Sequence, residues 1–89
     1  MEEIPSLMPQ LQQAIESGET KTATRLAHTI KGAARVVAGV RVMKLAEQIE
    51  RLSSNDDLES SAEKMPQLSE VVDQLLETLQ ESDTHLASL

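Results

Sequence analysis

The chain has 89 residues, which suits one small domain spanning residues 1–89, and it contains neither cysteine nor any aromatic residue. Disulfide bonds, thiol chemistry and the stacking of nucleic-acid bases on aromatic rings are thereby excluded. The net charge of −7 is unevenly distributed, because the segment from Thr20 to Ala46 holds six basic residues and no acidic one. This basic strip indicates a surface that steers an anionic partner, with an ordinary solvated face as the alternative.

Apolar residues recur at spacings of three and four along the whole chain, which is typical of amphipathic helices, and strand-like alternation does not occur. The pattern predicts helices over about residues 6–17, 20–37, 40–53 and 57–82. Because the connections between these helices are short, we expect an all-α fold, an antiparallel up-and-down four-helix bundle.

Local signals mark the ends of these helices. Ser6 is the predicted cap of the first helix, and Gly18 its predicted end. Asp56, followed by Glu59 three residues later, predicts a capping box at the start of the last helix. Pro66 lies inside that helix, where it predicts a kink or a break.

His28 lies outside the predicted core. At about 100° per residue, the apolar residues of the second helix fall on the opposite side from this histidine. Within about 60° of it lie Lys21, Thr24, Arg25, Lys31, Gly32 and Arg35. A glycine inside a helix lowers its stability by roughly 1 kcal/mol relative to alanine, so another benefit should favour Gly32. We interpret that benefit as clearance: the missing side chain leaves open space beside the imidazole.

Three functions use an exposed histidine among cations. A metal site is not expected, because further ligands are lacking nearby and the surrounding cations repel a metal ion. A general base of a hydrolase is disfavoured, because no carboxylate partner or nucleophile lies at helical spacing from His28. The remaining function is a phosphoryl carrier, since a neutral imidazole is a nucleophile and the neighbouring cations screen the added negative charge.

The run His28-Thr29-Ile30-Lys31-Gly32-Ala33-Ala34 resembles the signature of histidine-containing phosphotransfer (HPt) domains, H-x-(L/I)-K-G-(S/A)-(S/A). The segment containing Leu45, Ala46, Ile49 and Glu50 is similar to the family's following L-(A/C)-x-x-(L/I)-E segment. The order Ala38-Gly39 departs from the family pattern, in which glycine comes first, and leaves the end of the second helix open.

The resemblance implies a helical bundle that relays phosphoryl groups between receiver-domain aspartates and has no ATP site of its own. It implies that His28 is the phosphoacceptor, Lys31 the neighbouring cation and Gly32 the clearance residue. The residues that we expect to contact the partner are Lys21, Thr24, Arg25 and Arg35, and all of them except Thr24 are basic.

The expected partners are receiver domains of response regulators or of a hybrid histidine kinase, with no nucleic acid and no direct membrane contact. No cofactor is expected on this chain, because magnesium belongs to the acidic pocket of the receiver. The expected location is the cytoplasm, either alone or as a module of a membrane-anchored sensor kinase. The alternative function is a non-catalytic helical adaptor that carries no phosphoryl group.

Overall fold

The computed structural model describes residues 3–37 and 39–88, with side chains described up to residue 78. These residues form four helices, α1 (Glu3–Glu16), α2 (Thr20–Val36), α3 (Val40–Ser54) and α4 (Leu58–Ser88). Each helix packs against the next one in the chain, and α4 also contacts α1. The predicted all-α fold, a four-helix bundle, is confirmed.

The core consists of one apolar stripe from each helix, as the sequence spacing predicts. The large apolar side chains with at most 1% exposure are Ile4, Leu11, Ile30, Val42, Ile49 and Leu68. Each such side chain contributes about 1.5–3 kcal/mol on burial, so these stripes are the main source of stability. The stripe of α2 also includes buried alanines, which have no long side chain to hold α3 away.

The first helix begins three residues earlier than predicted, at Glu3 and not at Ser6. The additional turn brings Ile4 into the core with no exposed surface, and this burial outweighs the weaker capping signal at Ser6. Gly18 ends the helix as predicted, with a φ of 73° that suits glycine. The N–H of Glu19 donates to the carbonyl of Ala14 at 2.9 Å, which completes a Schellman-type end.

The start and course of α4 differ from the sequence prediction. Its cap is Asp57, whose Oδ1 accepts a hydrogen bond from the Ser60 N–H at 3.1 Å, and not Asp56. Asp56 has a φ of 62°, and its Oδ1 accepts a hydrogen bond from Thr20 Oγ1 at 2.8 Å. The helix runs through Pro66 without a break and reaches Ser88, beyond the predicted end. Because Pro66 is exposed, solvent can hydrate the backbone carbonyl that loses its partner there.

The corner between α2 and α3 depends on Gly39, which is buried. Its N–H donates to the carbonyl of Ala34 at 2.8 Å, and its own carbonyl accepts from the Met43 N–H at 2.9 Å. A Cβ at this position would lie 2.8 Å from Leu75 Cδ2 and 3.4 Å from the Ala34 carbonyl oxygen. A glycine at position 39 therefore lets α2, α3 and α4 approach one another closely.

Candidate functional site

His28 lies on the side of α2 that faces away from the core, and its side chain is 65% exposed. Its ring is nevertheless held, because Nδ1 lies 2.7 Å from Oε2 of Glu50 on α3. The histidine is therefore open to solvent and fixed at one nitrogen. Its predicted position outside the core is confirmed, while its chemical role stays a prediction.

Glu50 connects the two helices of the site. One carboxylate oxygen contacts His28, and the other accepts a hydrogen bond from Lys31 Nζ at 2.7 Å. Partial burial alone would raise the pKa of Glu50, but the hydrogen bonds from Lys31 and His28 outweigh it and hold the pKa below its ordinary value of 4.5. The carboxylate therefore stays ionised at neutral pH.

The ionised Glu50 sets the tautomer of the neutral imidazole. A carboxylate without a proton can only accept a hydrogen bond, so Nδ1 of His28 must be the nitrogen that carries the hydrogen. The lone pair then lies on Nε2, the ring nitrogen that Glu50 does not contact. This arrangement prepares Nε2 as a nucleophile.

Lys31 lies beside His28 as predicted, but it is not a free surface cation. Its side chain is only 19% exposed, and its Nζ pairs with Glu50. The helical wheel placed it on the exposed stripe because the wheel considers one helix at a time. The position next to α3 allows the long aliphatic part to pack while the ammonium group reaches the carboxylate.

Glu50 does not lie at helical spacing from His28, so the geometry of a single helix predicted no role for this carboxylate. The positions of His28 and Glu50 in the sequence do indicate their contact, once α2 and α3 are treated as a helical hairpin. His28 and Glu50 are equally distant in sequence from Gly39, so an antiparallel pair of helices turning at that glycine brings them side by side. The predicted helices 20–37 and 40–53 already locate the corner correctly, and the missing step was to compare positions across it.

Gly32 follows His28 by one helical turn and is exposed. A Cβ built on it would have no atom within 4 Å outside its local helical backbone and neighbouring residues, so the space beside it is open. Side chains on a helix lean toward its N-terminus, and a longer side chain at position 32 would therefore lean toward the imidazole. The geometry is compatible with the predicted clearance role, which stays a prediction.

On the other side of His28, toward the start of α2, an open groove of about 560 Å³ lies between α2 and α3. The residues that line it are Thr20, Lys21, Thr24, Arg25, His28, Glu50 and Ser54. Three of the four residues predicted to contact a partner thus lie together beside the histidine. The fourth, Arg35, is exposed on α2 and does not line this groove.

A family model described as Hpt domain matches residues 1–82 of the chain. Neither a curated protein nor a solved structure shows a significant match. Across the described residues, no helix is both long and apolar enough to cross a membrane.

Proposed function

The chain belongs to the Hpt domain family, and from this premise we propose that His28 accepts a phosphoryl group from a receiver-domain aspartate and passes it to another receiver. Hpt domains are phosphocarriers of two-component phosphorelays, where they work with receiver domains. The observation that carries the proposal is the exposed His28 ring, held at Nδ1 by Glu50, which leaves Nε2 as the nucleophilic nitrogen.

The transfer forms one bond and breaks one. The Nε2 lone pair attacks the phosphorus of the aspartyl phosphate, and an N–P bond forms. The P–O bond to the aspartate breaks, and its electron pair restores the receiver's carboxylate. Delivery to a second receiver is the same exchange in reverse, with a new aspartate oxygen as the attacking atom.

Glu50 supports this step without touching the phosphoryl group. During the attack the imidazole ring acquires positive charge, while Nδ1 keeps its hydrogen. The carboxylate of Glu50 at 2.7 Å offsets this charge and fixes the orientation of the ring. Lys31 in turn keeps Glu50 ionised, so we propose that its main role is to act through that carboxylate.

The proposed partner surface is the basic face around His28. Lys21, Arg25 and Arg35 are exposed cations on the same helix, and the receiver's phosphorylation pocket is acidic. Magnesium would be bound by that receiver, and this chain would supply no ATP site. We propose the cytoplasm as the location.

The proposal is tested by incubating the chain with phosphorylated receiver domains and following the label. We expect an acid-labile, base-stable phosphoryl group on the wild type and none on His28→Gln. Because the His28 side chain is exposed and a glutamine amide N–H can still donate to Glu50, the free energy of unfolding of the variant should differ from that of the wild type by no more than about 1 kcal/mol.

Three results would contradict this assignment. A label that persists in His28→Gln would place the phosphoacceptor elsewhere. Loss of folding in this variant would mean that the histidine is structural. No label on the wild type with several receivers would favour the adaptor function.

A further inference from the structure

Resting on the proposed phosphorylation of His28, we propose that the groove between the start of α2 and the end of α3 is the subsite that holds the phosphoryl group. Arg25 is the principal cation of this subsite, and Lys21 is a weaker one. Lys31, the cation that sequence analysis placed next to the phosphoryl group, instead serves Glu50.

Lys31 is mostly covered and is held by Glu50. Its Nζ lies 2.7 Å from Glu50 Oε1, and its side chain is only 19% exposed. Moving it toward a phosphoryl group would leave the partly buried carboxylate of Glu50 with a single hydrogen-bond partner. Because the ammonium group of Lys31 is mostly covered and directed toward Glu50, the more exposed cations on the same face of α2 are better placed to hold the phosphoryl group.

The direction of the side chains along α2 favours Arg25. Side chains on a helix lean toward its N-terminus, so the imidazole of His28 covers the preceding turn, which holds Thr24 and Arg25. The groove opens on this side, and Arg25 and His28 both line it. A guanidinium group offers a planar pair of donors that matches phosphate oxygens, which favours Arg25 as the holding residue.

The hydroxyl groups of the groove already donate their hydrogens to other oxygens. Thr24 Oγ1 donates to the carbonyl of Thr20 at 2.9 Å, and Ser54 Oγ donates to the carbonyl of Arg51 at 2.9 Å. Thr20 Oγ1 donates to Asp56 at 2.8 Å. The hydrogens of all three hydroxyls are therefore occupied, and the charged side chains must supply the contacts.

Two acidic groups set the position of the phosphoryl group within the groove. Glu50 is paired with Lys31 and His28, so its charge is offset. Asp56 contacts Thr20, at the end of the groove where Lys21 lies, and its negative charge opposes an anion there. The phosphoryl group is therefore held at the Arg25 end, and Lys21 contributes less.

The test separates holding of the phosphoryl group from docking of the partner. The equilibrium distribution of phosphoryl groups between a receiver and the free chain depends only on the stability of the loaded and unloaded states, whereas docking changes rates. We expect Arg25→Gln to shift this equilibrium toward the receiver by about three- to ten-fold, and Lys21→Gln to shift it less. Arg41→Gln, which makes the same charge change outside the groove, is the matched control and should leave it unchanged.

A second readout needs no receiver. Phosphoramidate transfers its phosphoryl group to the imidazole as its own P–N bond breaks and ammonia leaves. On the loaded chain, the second ionisation of the phosphoryl group, followed by phosphorus NMR, should move to higher pH in Arg25→Gln. The cause is the loss of a cation that favours the dianion.

The outcomes distinguish this inference from the proposed function. If the wild type never becomes labelled, the proposed function fails. If the wild type is labelled but Arg25→Gln has the same equilibrium and the same phosphorus titration, the subsite is wrong and the carrier role stands. An equal shift in Arg41→Gln would show that only net charge matters, and this too would overturn the subsite.

Discussion

Gly32 and Gly39 are one residue type in two opposite surroundings. A Cβ at Gly32 would meet no atom within 4 Å outside its local helical backbone and neighbouring residues, whereas a Cβ at Gly39 would lie 2.8 Å from Leu75 Cδ2. Gly32 is exposed next to His28, and Gly39 is buried where α2 turns into α3. A missing side chain can therefore leave room for a partner molecule or for a neighbouring helix, and its surroundings decide which.

The largest effects are expected from placing the same bulky side chain at each glycine. Gly32→Gln should fold normally, because the side chain enters open space, but should slow phosphoryl transfer at least about ten-fold as it leans over the imidazole. Gly39→Gln should lose roughly 1–3 kcal/mol of stability by overpacking the corner, with little change in transfer per folded molecule. Urea unfolding measures the stability of each variant, and single-turnover transfer measures its rate of phosphoryl transfer.

The comparison fails if the two variants behave alike. A loss of stability in Gly32→Gln would show that this glycine also holds elements together. Unchanged transfer in that variant would remove the clearance interpretation, even if the chain folds well.

Glu50→Gln, a substitution in the functional site, is expected to have an intermediate effect on stability and transfer. Because the pKa of Glu50 is lowered by Lys31 and His28, ionised Glu50 stabilises the fold above its ordinary value of 4.5, and this contribution is lost as the pH falls through the lowered value. The variant should therefore be less stable than the wild type at pH 7, and the difference should shrink on acidification. Transfer should be partly retained, because the glutamine carbonyl still accepts the Nδ1–H hydrogen bond.

Urea unfolding of Glu50→Gln at neutral and acidic pH is the measurement, with Gly39→Ala as the control. The control removes no charge, so its stability difference from the wild type should not depend on pH. A difference for Glu50→Gln that stays constant across the acidic range would contradict the proposed coupling of Glu50 to Lys31 and His28.

The smallest effects are expected from alanine at each glycine. Gly32→Ala should gain up to roughly 1 kcal/mol, since alanine favours the helix and meets no neighbour. Gly39→Ala should lose about 1 kcal/mol or less, because the end of the flexible Leu75 side chain can move aside. Thermal melts that shift in the same direction for both variants would show that helix propensity outweighs the difference in packing.

The features that depend on the spacing of apolar residues could be predicted from the sequence. The four helices, the apolar stripes and the exposure of His28 follow from spacing within single helices. The link from Glu50 to His28 and Lys31 joins α2 to α3, and single-helix geometry does not contain it. Likewise, Asp56 fits a capping pattern by spacing, but its backbone conformation and its bond to Thr20 give the capping role to Asp57.

The contact between Glu50 and Nδ1 of His28 determines the order in which donor and acceptor receivers can bind in the proposed relay. With one ring nitrogen occupied, loading and unloading share the other, so donor and acceptor visit the same face in turn and never together. Such a carrier alternates between being loaded by the donor and being unloaded by the acceptor. A large excess of unphosphorylated receiver then blocks the donor, and flux through the relay passes through a maximum as the receiver concentration rises.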